Sequence, residues 1–485
     1  MTKYDFSIAR KRIQQEMTKA GTPSFALAVA QNGKMLWEEA FGWADREKRI
    51  PATPHTMYSL ASTSKPFTTT CLMKLVEQGK IDLDKPVNDY LASDAKIKVW
   101  IGRDKDVTVR RVANHTAGLP FHCHFYSHDE IAKKPPMEES IRRYGNVVTL
   151  PGERYRYSNI GFGILDHIVE RVSGMSFADF LRREICIPLG LTRTSVDIGP
   201  GLDDFAAARY DGEGLPIPFY DVDHRGASSV YSSAHDLALF GMFFLKQPQP
   251  DQKAPLAEKT VDAMLTPTAD RNSLKPPSRR WPPASGYGIG WVIDDSELGV
   301  LISHAGGMGG AVAQLALAPR EGIVMAAAAN GTCAIPHEIE RYILPVLVPG
   351  YAQKLAKLEK KKSKATAMSL PAFKAPPELL GNWSGIVHTY ERDLPFALSF
   401  KPSGEIHAKL GEQLTTLVNE VKLTDGWLTG RFLGKIFTSD VMRRPHHPYH
   451  HLGLDLKVRG DVINGAVIAT AANGLSHWAD LRKNK

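Results

Sequence analysis

The last quarter of the chain places the strongest constraint on its fold. From Trp383 onward, short segments typical of strands follow one another without a helical period, and Gly, Asp or Asn residues separate them. Several segments alternate apolar and polar residues, as in "FALSFKP" and "HLGLDLKVRG". A meander of about eight antiparallel strands would leave exposed edges unless the sheet closes. We therefore predict an all-β antiparallel barrel of lipocalin-like size over residues 376–485.

A basic segment precedes the predicted barrel. Residues 354–364, "KLAKLEKKKSK", hold six lysines and one glutamate, so they carry most of the formal net charge of +8 of the 485-residue chain. Because the excess is local, it favours a solvated linker over a surface that binds nucleic acid. The Ala- and Pro-rich sequence that follows has the composition of a tether. Together these segments predict a linker over residues 351–375.

The first 350 residues mix helical and strand periods. "FALAVAQNGKMLWEEAFGWAD" predicts a hairpin around Asn32-Gly33, and "KPFTTTCLMKLVEQGKI" predicts a helix that starts near residue 63 and ends at Gly79. Four strand-like runs close this part: "YGIGWVI", "GVLISHAGG", "AVAQLALAP" and "GIVMAAAANG". Strands at both ends with helices between them predict an α+β domain whose antiparallel sheet is assembled from the two ends of the domain.

The sequence favours a soluble protein in a reducing compartment. The N-terminus is charged and spaces Phe6, Ile13 and Met17 like a short amphipathic helix, without the apolar region of a secretory signal. No apolar run approaches the ~20 residues that a membrane helix needs. The four cysteines are widely scattered, which is typical of free thiols. We therefore expect a cytoplasmic location and no membrane partner.

Ser62 and Lys65 form the first candidate pair for chemistry. In "YSLASTSKPFTTT" they lie three residues apart at the start of the predicted helix, so their side chains project from one face. A lysine whose pKa is depressed can take the proton of the serine hydroxyl and make it a nucleophile. The helix N-terminus also favours a developing oxyanion. The alternative is that Ser62 only caps the helix and Lys65 is an exposed charge, since Ser-x-x-Lys also occurs by chance.

Tyr157 and Asn159 form a second candidate pair. They lie two residues apart in "YSNIGFGIL", which continues directly into an amphipathic helix. At a helix entry a phenol can relay protons, and an amide can hold the acyl side chain of a substrate in the same cleft. A rival pair, Tyr144 and Asn146, leads into a strand and a turn. The sequence therefore favours Tyr157.

His304 and Gly306 form a third candidate in "LISHAGGMGG", on the second of the four strand-like runs. Here a proton-sharing side chain and an unobstructed backbone would face the cleft. Other His-x-Gly triplets begin at His224, in an irregular segment, and at His451, in the predicted barrel. The alternative for His304 is an edge-strand histidine beside a glycine turn.

The order Ser62-Thr-Ser-Lys65, Tyr157-Ser-Asn159, His304-Ala-Gly306 resembles the serine β-lactamase and penicillin-recognising superfamily. It is most similar to the branch of class C β-lactamases, D-aminopeptidases and esterases, and "NHTAGLP", "IPLGLTRTS", "YSSAHDLALFG" and "GYGIGW" fit that branch. The resemblance spans roughly residues 8–345. It implies an antiparallel sheet flanked by helices, with an all-helical subdomain.

The resemblance also implies a role for each motif residue. Ser62 would be the acylated nucleophile, Lys65 its proton acceptor and Tyr157 the general base and acid. The remaining implied roles are substrate contact by Asn159, His304 and Gly306, and an oxyanion hole formed by the backbone N–H groups of Ser62 and Gly307.

The third motif bears on the substrate. β-Lactamases usually carry Lys-Thr-Gly there, and the lysine attracts a substrate carboxylate, whereas this chain has His304. A neutral imidazole attracts a carboxylate less, so we expect weak or no β-lactamase activity. Histidine at this place is similar to D-aminopeptidases and D-amino-acid amidases, some of which also carry antiparallel barrels, and esterases vary there. The expected substrate is a small amide, ester or peptide, and no cofactor is implied.

Two histidine-rich segments raise the question of a metal site, and a function other than catalysis is also compatible with the sequence. Residues 122–128 and 444–451 lack metal-binding spacing, so no metal is predicted; the first would wall the active site and the second would be a surface loop. The alternative function is a non-enzymatic binder, in which the front domain captures peptidoglycan-like peptides or the barrel holds an apolar ligand. Homo-oligomerisation stays open.

Overall fold

The structure, a computed structural model, describes residues 4–269, 285–365, 373–440, 450–470 and 474–484. Residues up to 365 form an α+β unit, and residues from 373 onward form a β-barrel unit. The strands of the front unit are β1 (Ser24–Gln31), β2 (Lys34–Asp45), β3 (Ile50–Pro51), β4 (Met57–Ser59), β5 (Lys98–Val99), β6 (Phe125–Ser127), β7 (Asn146–Val147), β8 (Thr194–Val196), β9 (Arg209–Tyr210), β10 (Pro216–Ile217), β11 (Tyr220–Val222), β12 (Val230–Ser233), β13 (Gly286–Tyr287), β14 (Val292–Ser296), β15 (Gly299–Met308), β16 (Ala311–Ala318) and β17 (Ile323–Ala329).

Helices surround these strands. The α-helices are α1 (Ser7–Ala20), α2 (Lys65–Glu77), α3 (Val109–Ala113), α4 (Met137–Tyr144), α5 (Asn159–Ser173), α6 (Phe177–Leu181), α7 (Arg225–Ser228), α8 (Ala234–Phe244), α9 (Glu258–Leu265), α10 (Ile339–Leu347) and α11 (Tyr351–Ala365). Short 3-10 helices span Ala61–Ser64, Val87–Tyr90, Asp104–Asp106, His128–Lys133, Asp203–Phe205, Ile335–Glu338 and Pro377–Leu379, and Arg182–Cys186 is a π-helical turn.

One large antiparallel sheet organises the front unit. Its strand order is β13-β14-β15-β16-β17-β1-β2-β3, so β1 from the start of the unit pairs with β17 from its end, as the sequence predicts. Both faces of the sheet are covered. Along β1, Phe25, Leu27 and Val29 face a core shared with α1 and α10, while the alternating alanines face the larger helical layer. That layer also contains small sheets of two or three strands.

The predicted hairpin and helix are both present. Asn32 and Gly33 have φ values of 51° and 73° between β1 and β2, which suits a two-residue turn of the mirror-image type. The chain around Ser62 forms the 3-10 helix Ala61–Ser64, and the regular helix α2 starts at Lys65, two residues later than expected. Its end is as predicted, since Gly79 adopts the left-handed conformation with φ of 69°.

The basic segment is a helix rather than an irregular linker. Residues 351–365 form α11, in agreement with the high helix propensity of Lys, Ala, Leu and Glu. Tyr351 is buried, and Leu355 packs against the core beneath α1 and α10. The first half of the predicted linker therefore belongs to the front unit. Residues 366–372, in the predicted tether, lie outside the described residues.

The C-terminal unit is a near-closed antiparallel barrel. It has nine strands as described, one more than expected, in the order β21-β20-β19-β18-β26-β25-β24-β23-β22. At the seam, Thr416 Oγ1 donates to Leu433 O at 2.9 Å and Lys435 N donates to Gln413 Oε1 at 2.7 Å. These strands are β18 (Gly381–His388), β19 (Asp393–Phe400), β20 (Ile406–Leu410), β21 (Thr416–Leu417), β22 (Asn419–Thr424), β23 (Trp427–Gly434), β24 (His450–Arg459), β25 (Val462–Thr470) and β26 (Gly474–Lys483).

The barrel docks directly on the front unit. The backbones of Cys123 and Gly474 exchange two hydrogen bonds, at 2.9 and 2.8 Å, and Ser476 Oγ donates to Phe121 O at 2.6 Å. Ion pairs add to this contact, among them the pair between Arg143 and Asp440 at 2.7 Å. The docking site on the front unit is thus the irregular chain near residues 121–123, close to the predicted active site.

The sequence predicts that the chain has no membrane-spanning helix and that its cysteines are free thiols. In the part of the chain that the structure describes, no helix combines the length and apolar character that a membrane crossing requires. Cys71, Cys186 and Cys333 are buried free thiols, and Cys123 is a half-buried free thiol, so the scattered cysteines are unpaired as expected.

Candidate active site

Ser62 lies on a strained turn that presents its side chain. Ala61, the residue before it, has a φ of 47°, in the left-handed region that residues other than glycine rarely adopt. The turn is fixed on both sides. Leu60 N donates to Val230 O at 2.9 Å, and Thr63 Oγ1 donates to His304 O at 3.1 Å. The nucleophile candidate is therefore held between the helical layer and strand β15.

Lys65 lies one helical turn further on, and its amine reaches Ser62. The Nζ atom is 3.1 Å from Ser62 Oγ, 2.8 Å from Asn159 Oδ1 and 3.2 Å from Ala227 O. The side chain is fully buried. Burial lowers the pKa of Lys65 well below its usual range, against an opposing influence of the Cys123 thiol. The alternative of an exposed lysine is therefore wrong.

Tyr157 completes the contact around Ser62. Its hydroxyl donates to Ser62 Oγ at 2.7 Å. Helix α5 starts two residues later, where Ser158 Oγ accepts the backbone N–H of Gly161. The ring of His115 lies 4.5 Å from the Tyr157 ring, and His115 Nδ1 accepts the backbone N–H of Ser158 at 3.1 Å. The rival Tyr144 instead donates its hydroxyl to Asp440.

Asn159 is close to the pair but faces inward. Its Oδ1 accepts from Lys65, and its Nδ2 donates to His122 O at 2.8 Å and lies 3.1 Å from Cys123 Sγ. Only 4% of the residue is exposed. In this arrangement the amide orients the amine of Lys65. Substrate contact by Asn159 stays a prediction.

His304 is also buried, with both ring nitrogens engaged. Its Nδ1 donates to Ala305 O at 2.9 Å, and its Nε2 forms a hydrogen bond with the Tyr287 hydroxyl at 2.9 Å. The imidazole thus bonds to the protein rather than standing free at the cleft, and substrate contact by its side chain stays a prediction.

Gly306 brings strand β15 against the Ser62 turn. A Cβ atom on Gly306 would lie 2.0 Å from Leu60 O and 2.8 Å from Ser62 N, so the approach requires glycine. Gly307 follows on the same strand, as an oxyanion hole with Ser62 would need. The exposed His337 donates from Nε2 to Gly306 O at 2.9 Å, which is the carbonyl of the peptide that carries the Gly307 N–H.

A buried cluster behind Lys65 is the one place among the described residues with metal-ligand spacing. His122 Nε2 lies 2.9 Å from Asp223 Oδ2, and His224 Nδ1 lies 2.8 Å from Asp223 Oδ1. Burial alone would raise the pKa of Asp223, but the two histidines hold that pKa well below its usual range. The outer ring nitrogens of both histidines lack a hydrogen-bond partner among the described residues, whereas metal-bound histidines usually donate from that nitrogen. The cluster therefore fits a hydrogen-bonded carboxylate better than a metal.

The histidine-rich segments have different outcomes. His122 and Cys123 lie beside Asn159, so the first segment adjoins the site. Residues 444–449 of the second segment lie outside the described residues. His115, His337 and Asp223 were not among the predicted site residues. His115 stands in "NHTAGLP", one of the stretches that fit the family, but no local pattern places it behind Tyr157.

Comparisons with known proteins agree with this fold. The family model Beta-lactamase matches residues 9–346. Penicillin-binding protein 4* of Bacillus subtilis (strain 168) is 27% identical over 305 residues, which cover 58% of this chain and 62% of that protein. The chain spans 62% of the length of the first curated relatives that it matches.

Solved structures extend the likeness to the barrel. An octameric penicillin-binding protein homologue from Pyrococcus abyssi has a TM-score of 0.61 at 20% identity and covers 99% of this chain and 100% of its own. SurE with D-Leu has a TM-score of 0.62 at 20% identity, with 97% and 99% coverage. A class C β-lactamase has a TM-score of 0.58 at 19% identity, with 70% and 95% coverage. At these identities the likeness shows the fold, and it confirms the predicted α+β class with a C-terminal barrel.

The close approach at Gly306 generates a prediction. Gly306→Ala should displace β15 or the Ser62 turn and slow labelling of Ser62 by a fluorophosphonate by about 100-fold, since small misplacements at reacting groups carry costs of that size. The rate would be measured by intact-protein mass spectrometry. Gly453→Ala is the matched control, because the nearest atom to its Cβ would be 3.7 Å away. Equal labelling of both variants would contradict the packing argument.

Proposed function

This chain belongs to the beta-lactamase family, and we propose that it is a serine hydrolase that cleaves a small amide or ester through an acyl-enzyme. One observation carries the proposal: Ser62 Oγ lies within hydrogen-bond reach of both the Lys65 amine and the Tyr157 hydroxyl, at 3.1 and 2.7 Å. A serine hydroxyl needs such a neighbouring base before it attacks a carbonyl carbon.

The contacts of Lys65 match a neutral amine. A neutral amine has two N–H donors and one lone pair. Asn159 Oδ1 and Ala227 O accept the two donors, so the lone pair is left for the hydroxyl proton of Ser62. The lowered pKa of Lys65 favours this form. The proton can then pass from Ser62 to Lys65 as the serine oxygen attacks.

Tyr157 is proposed to carry the proton to the leaving group. Its hydroxyl touches the same serine oxygen, so it can donate to the departing amine or alcohol and recover a proton through Lys65. Water then attacks the acyl-enzyme, and the same groups act in reverse. The backbone N–H groups of Ser62 and Gly307 are proposed to bind the oxyanion, and the bond from His337 to Gly306 O would polarise the Gly307 N–H.

The finer proposal is a D-aminopeptidase or D-amino-acid amidase, with esterase as the nearest alternative. At the place of the third-motif lysine, the buried His304 offers no exposed cation to a β-lactam carboxylate. SurE, which shares the two-unit fold, has a structure with D-Leu, and this supports a D-amino-acid substrate. The octameric state of the Pyrococcus abyssi homologue supports self-association. The free cysteines support the proposed cytoplasmic location.

The first prediction of this proposed function concerns the nucleophile. Ser62→Ala should lose at least ~10³-fold in turnover while it keeps the wild-type melting temperature, because the group that forms the acyl-enzyme is gone. Fluorophosphonate labelling of the wild type should map to Ser62. Ser64→Ala is the neighbouring control, since Ser64 Oγ accepts the Val230 N–H instead. An unlabelled wild type without turnover on any ester would favour the non-enzymatic binder.

The second prediction follows from the pKa of Lys65. The reactive form needs the unprotonated amine, so the labelling rate should reach its plateau well below the ordinary lysine pKa and should fall as the pH drops through the lowered pKa. Labelling rates measured across pH would show this limb. Lys65→Met, which keeps the apolar stem without an amine, should react slowly at every pH. A rate that rises only near the ordinary lysine pKa of about 10.4 would contradict this assignment.

The third prediction concerns the substrate. A panel of a D-alanine anilide, an L-alanine anilide, a short-chain nitrophenyl ester and a chromogenic cephalosporin should show the highest kcat/KM for the D-anilide and the lowest for the cephalosporin. Ser62→Ala measured in parallel gives the turnover due to contaminating enzymes, which is subtracted from the wild-type rates. Ester-only turnover would replace the amidase assignment with an esterase, and efficient cephalosporin cleavage would refute the argument from His304.

A further inference from the structure

Two buried arginines lie beside the catalytic tyrosine and point to the barrel. In the segment Arg154-Tyr155-Arg156-Tyr157, the tyrosine rings face the active-site side, where Tyr155 lies 5.6 Å from the Tyr287 ring and Tyr157 contacts Ser62. The arginines face the opposite side. Arg154 and Arg156 side chains are only 8% and 5% exposed. One face of this short segment thus lies against the active site, and the opposite face contacts the barrel.

The carboxylate of Asp455 in the barrel accepts hydrogen bonds from both arginines. Arg154 Nη2 donates to both oxygens of Asp455 at 2.6 Å, and Arg156 Nη1 donates to Asp455 Oδ2. Asp455 lies in the middle of β24, where Leu454 and Leu456 face the barrel core and Asp455 faces outward. The Arg154 guanidinium also lies 3.4 Å from the centre of the Trp427 ring on β23.

The electrostatics make this carboxylate hard to replace. Two buried guanidinium groups share one half-buried carboxylate, and Arg156 Nε and Nη2 have no hydrogen-bond partner among the described residues. Burial raises the pKa of Asp455, but the two arginines outweigh this and hold the pKa below its usual value. Without the carboxylate, both cations would be buried and unpaired, which a chain avoids by moving them towards water.

The backbone connects this ion cluster to the reacting atoms. Arg156 N donates to His115 O at 2.7 Å, and Ser158 N donates to His115 Nδ1 at 3.1 Å. Tyr157 lies between these two anchors. A shift of the Arg156 side chain towards solvent would therefore move the peptide that carries Tyr157, and with it the 2.7 Å contact to Ser62 Oγ.

We propose that Asp455 of the barrel is a positioning residue for Tyr157, so that the barrel is part of the catalytic apparatus rather than only an appended unit. This inference rests on the proposed acyl-enzyme function. It assigns the barrel a task that acts through Arg154 and Arg156 and that does not require contact with substrate.

The test measures the reaction of Ser62 with a fluorophosphonate in the full-length protein. Asp455→Asn should lower the maximal labelling rate by about 10- to 100-fold, as expected for misplacement of a reacting group by about 1 Å. The probe concentration for half-maximal rate should stay unchanged, because the probe-binding cleft is kept. Asp455→Glu, which restores the charge, should recover a large part of the rate.

Asp440→Asn is the matched control. Asp440 is a second barrel carboxylate that contacts the front unit, where it accepts from Arg143 Nη1 and the Tyr144 hydroxyl at 2.7 Å, away from Tyr157. If the carboxylates only dock the barrel, both substitutions should have the same effect. The inference expects the wild-type labelling rate for Asp440→Asn.

A second variant separates loss of the Tyr157 position from loss of folding. Arg156→Gln removes one cation and leaves the balanced pair Arg154 and Asp455, so it should fold, as checked by thermal melting, and still react more slowly. Wild-type rates in Asp455→Asn or in a folded Arg156→Gln, or equal losses in Asp455→Asn and Asp440→Asn, would overturn the inference. A wild-type protein that is not labelled at Ser62 would overturn the proposed function itself.

Discussion

A buried amine without a carboxylate partner is the constraint on which the site depends. Lys65 is fully buried, and no carboxylate among the described residues lies within ion-pair distance of its Nζ. A charged amine in that place would cost several kcal/mol, so the environment favours the neutral form. Oxygen atoms from three separate parts of the chain then surround the nitrogen: the hydroxyl of Ser62, the amide of Asn159 and the carbonyl of Ala227. The proposed base is therefore a consequence of burial.

The rest of the front unit keeps these groups in register. The turn of Ser62 is fixed by Val230 on one side and by β15 on the other, and the glycine at position 306 allows the strand to come that close. The carbonyl of His122 holds Asn159, and the carboxylate of Asp223 holds the ring of His122. Each reacting atom is therefore supported by a partner that is itself hydrogen-bonded, which limits the freedom of the site before a substrate arrives.

The sequence singles out the residues of the proposed reacting groups, but it does not predict the residues that support them. Ser62, Lys65 and Tyr157 stand in short motifs at helix entries, where spacing alone brings side chains to one face, and the structure brings these three together. Asn159 and His304 stand in the same motifs, but their side chains turn inward, and only tertiary packing decides such a direction. Asp455 contacts Arg156 across 299 residues of sequence, and no local pattern marks it.

The helices, strands and turns show the same contrast between what local sequence determines and what tertiary packing determines. Period and turn residues predict the hairpin at Asn32-Gly33, the end of α2 at Gly79 and the all-β barrel, because these depend on local geometry. The charge of the basic segment predicts a linker, yet Lys, Ala and Leu are also helix formers, and the burial of Tyr351 adds a tertiary contact. Propensity and packing together outweigh composition there.

The proposed positioning role of Asp455 implies coupling between the two units in both directions. If docking of Asp455 on the arginines stabilises the reactive position of Tyr157, then any ligand that fixes Tyr157 against Ser62 must stabilise the docked barrel by the same free energy, because coupling between two sites is reciprocal. The coupling is limited by the ion cluster, where loss of one buried partner costs about 3–5 kcal/mol. The cleft and the barrel face share one stretch of backbone, so the proposal predicts that occupancy of the cleft and attachment of the barrel are linked equilibria.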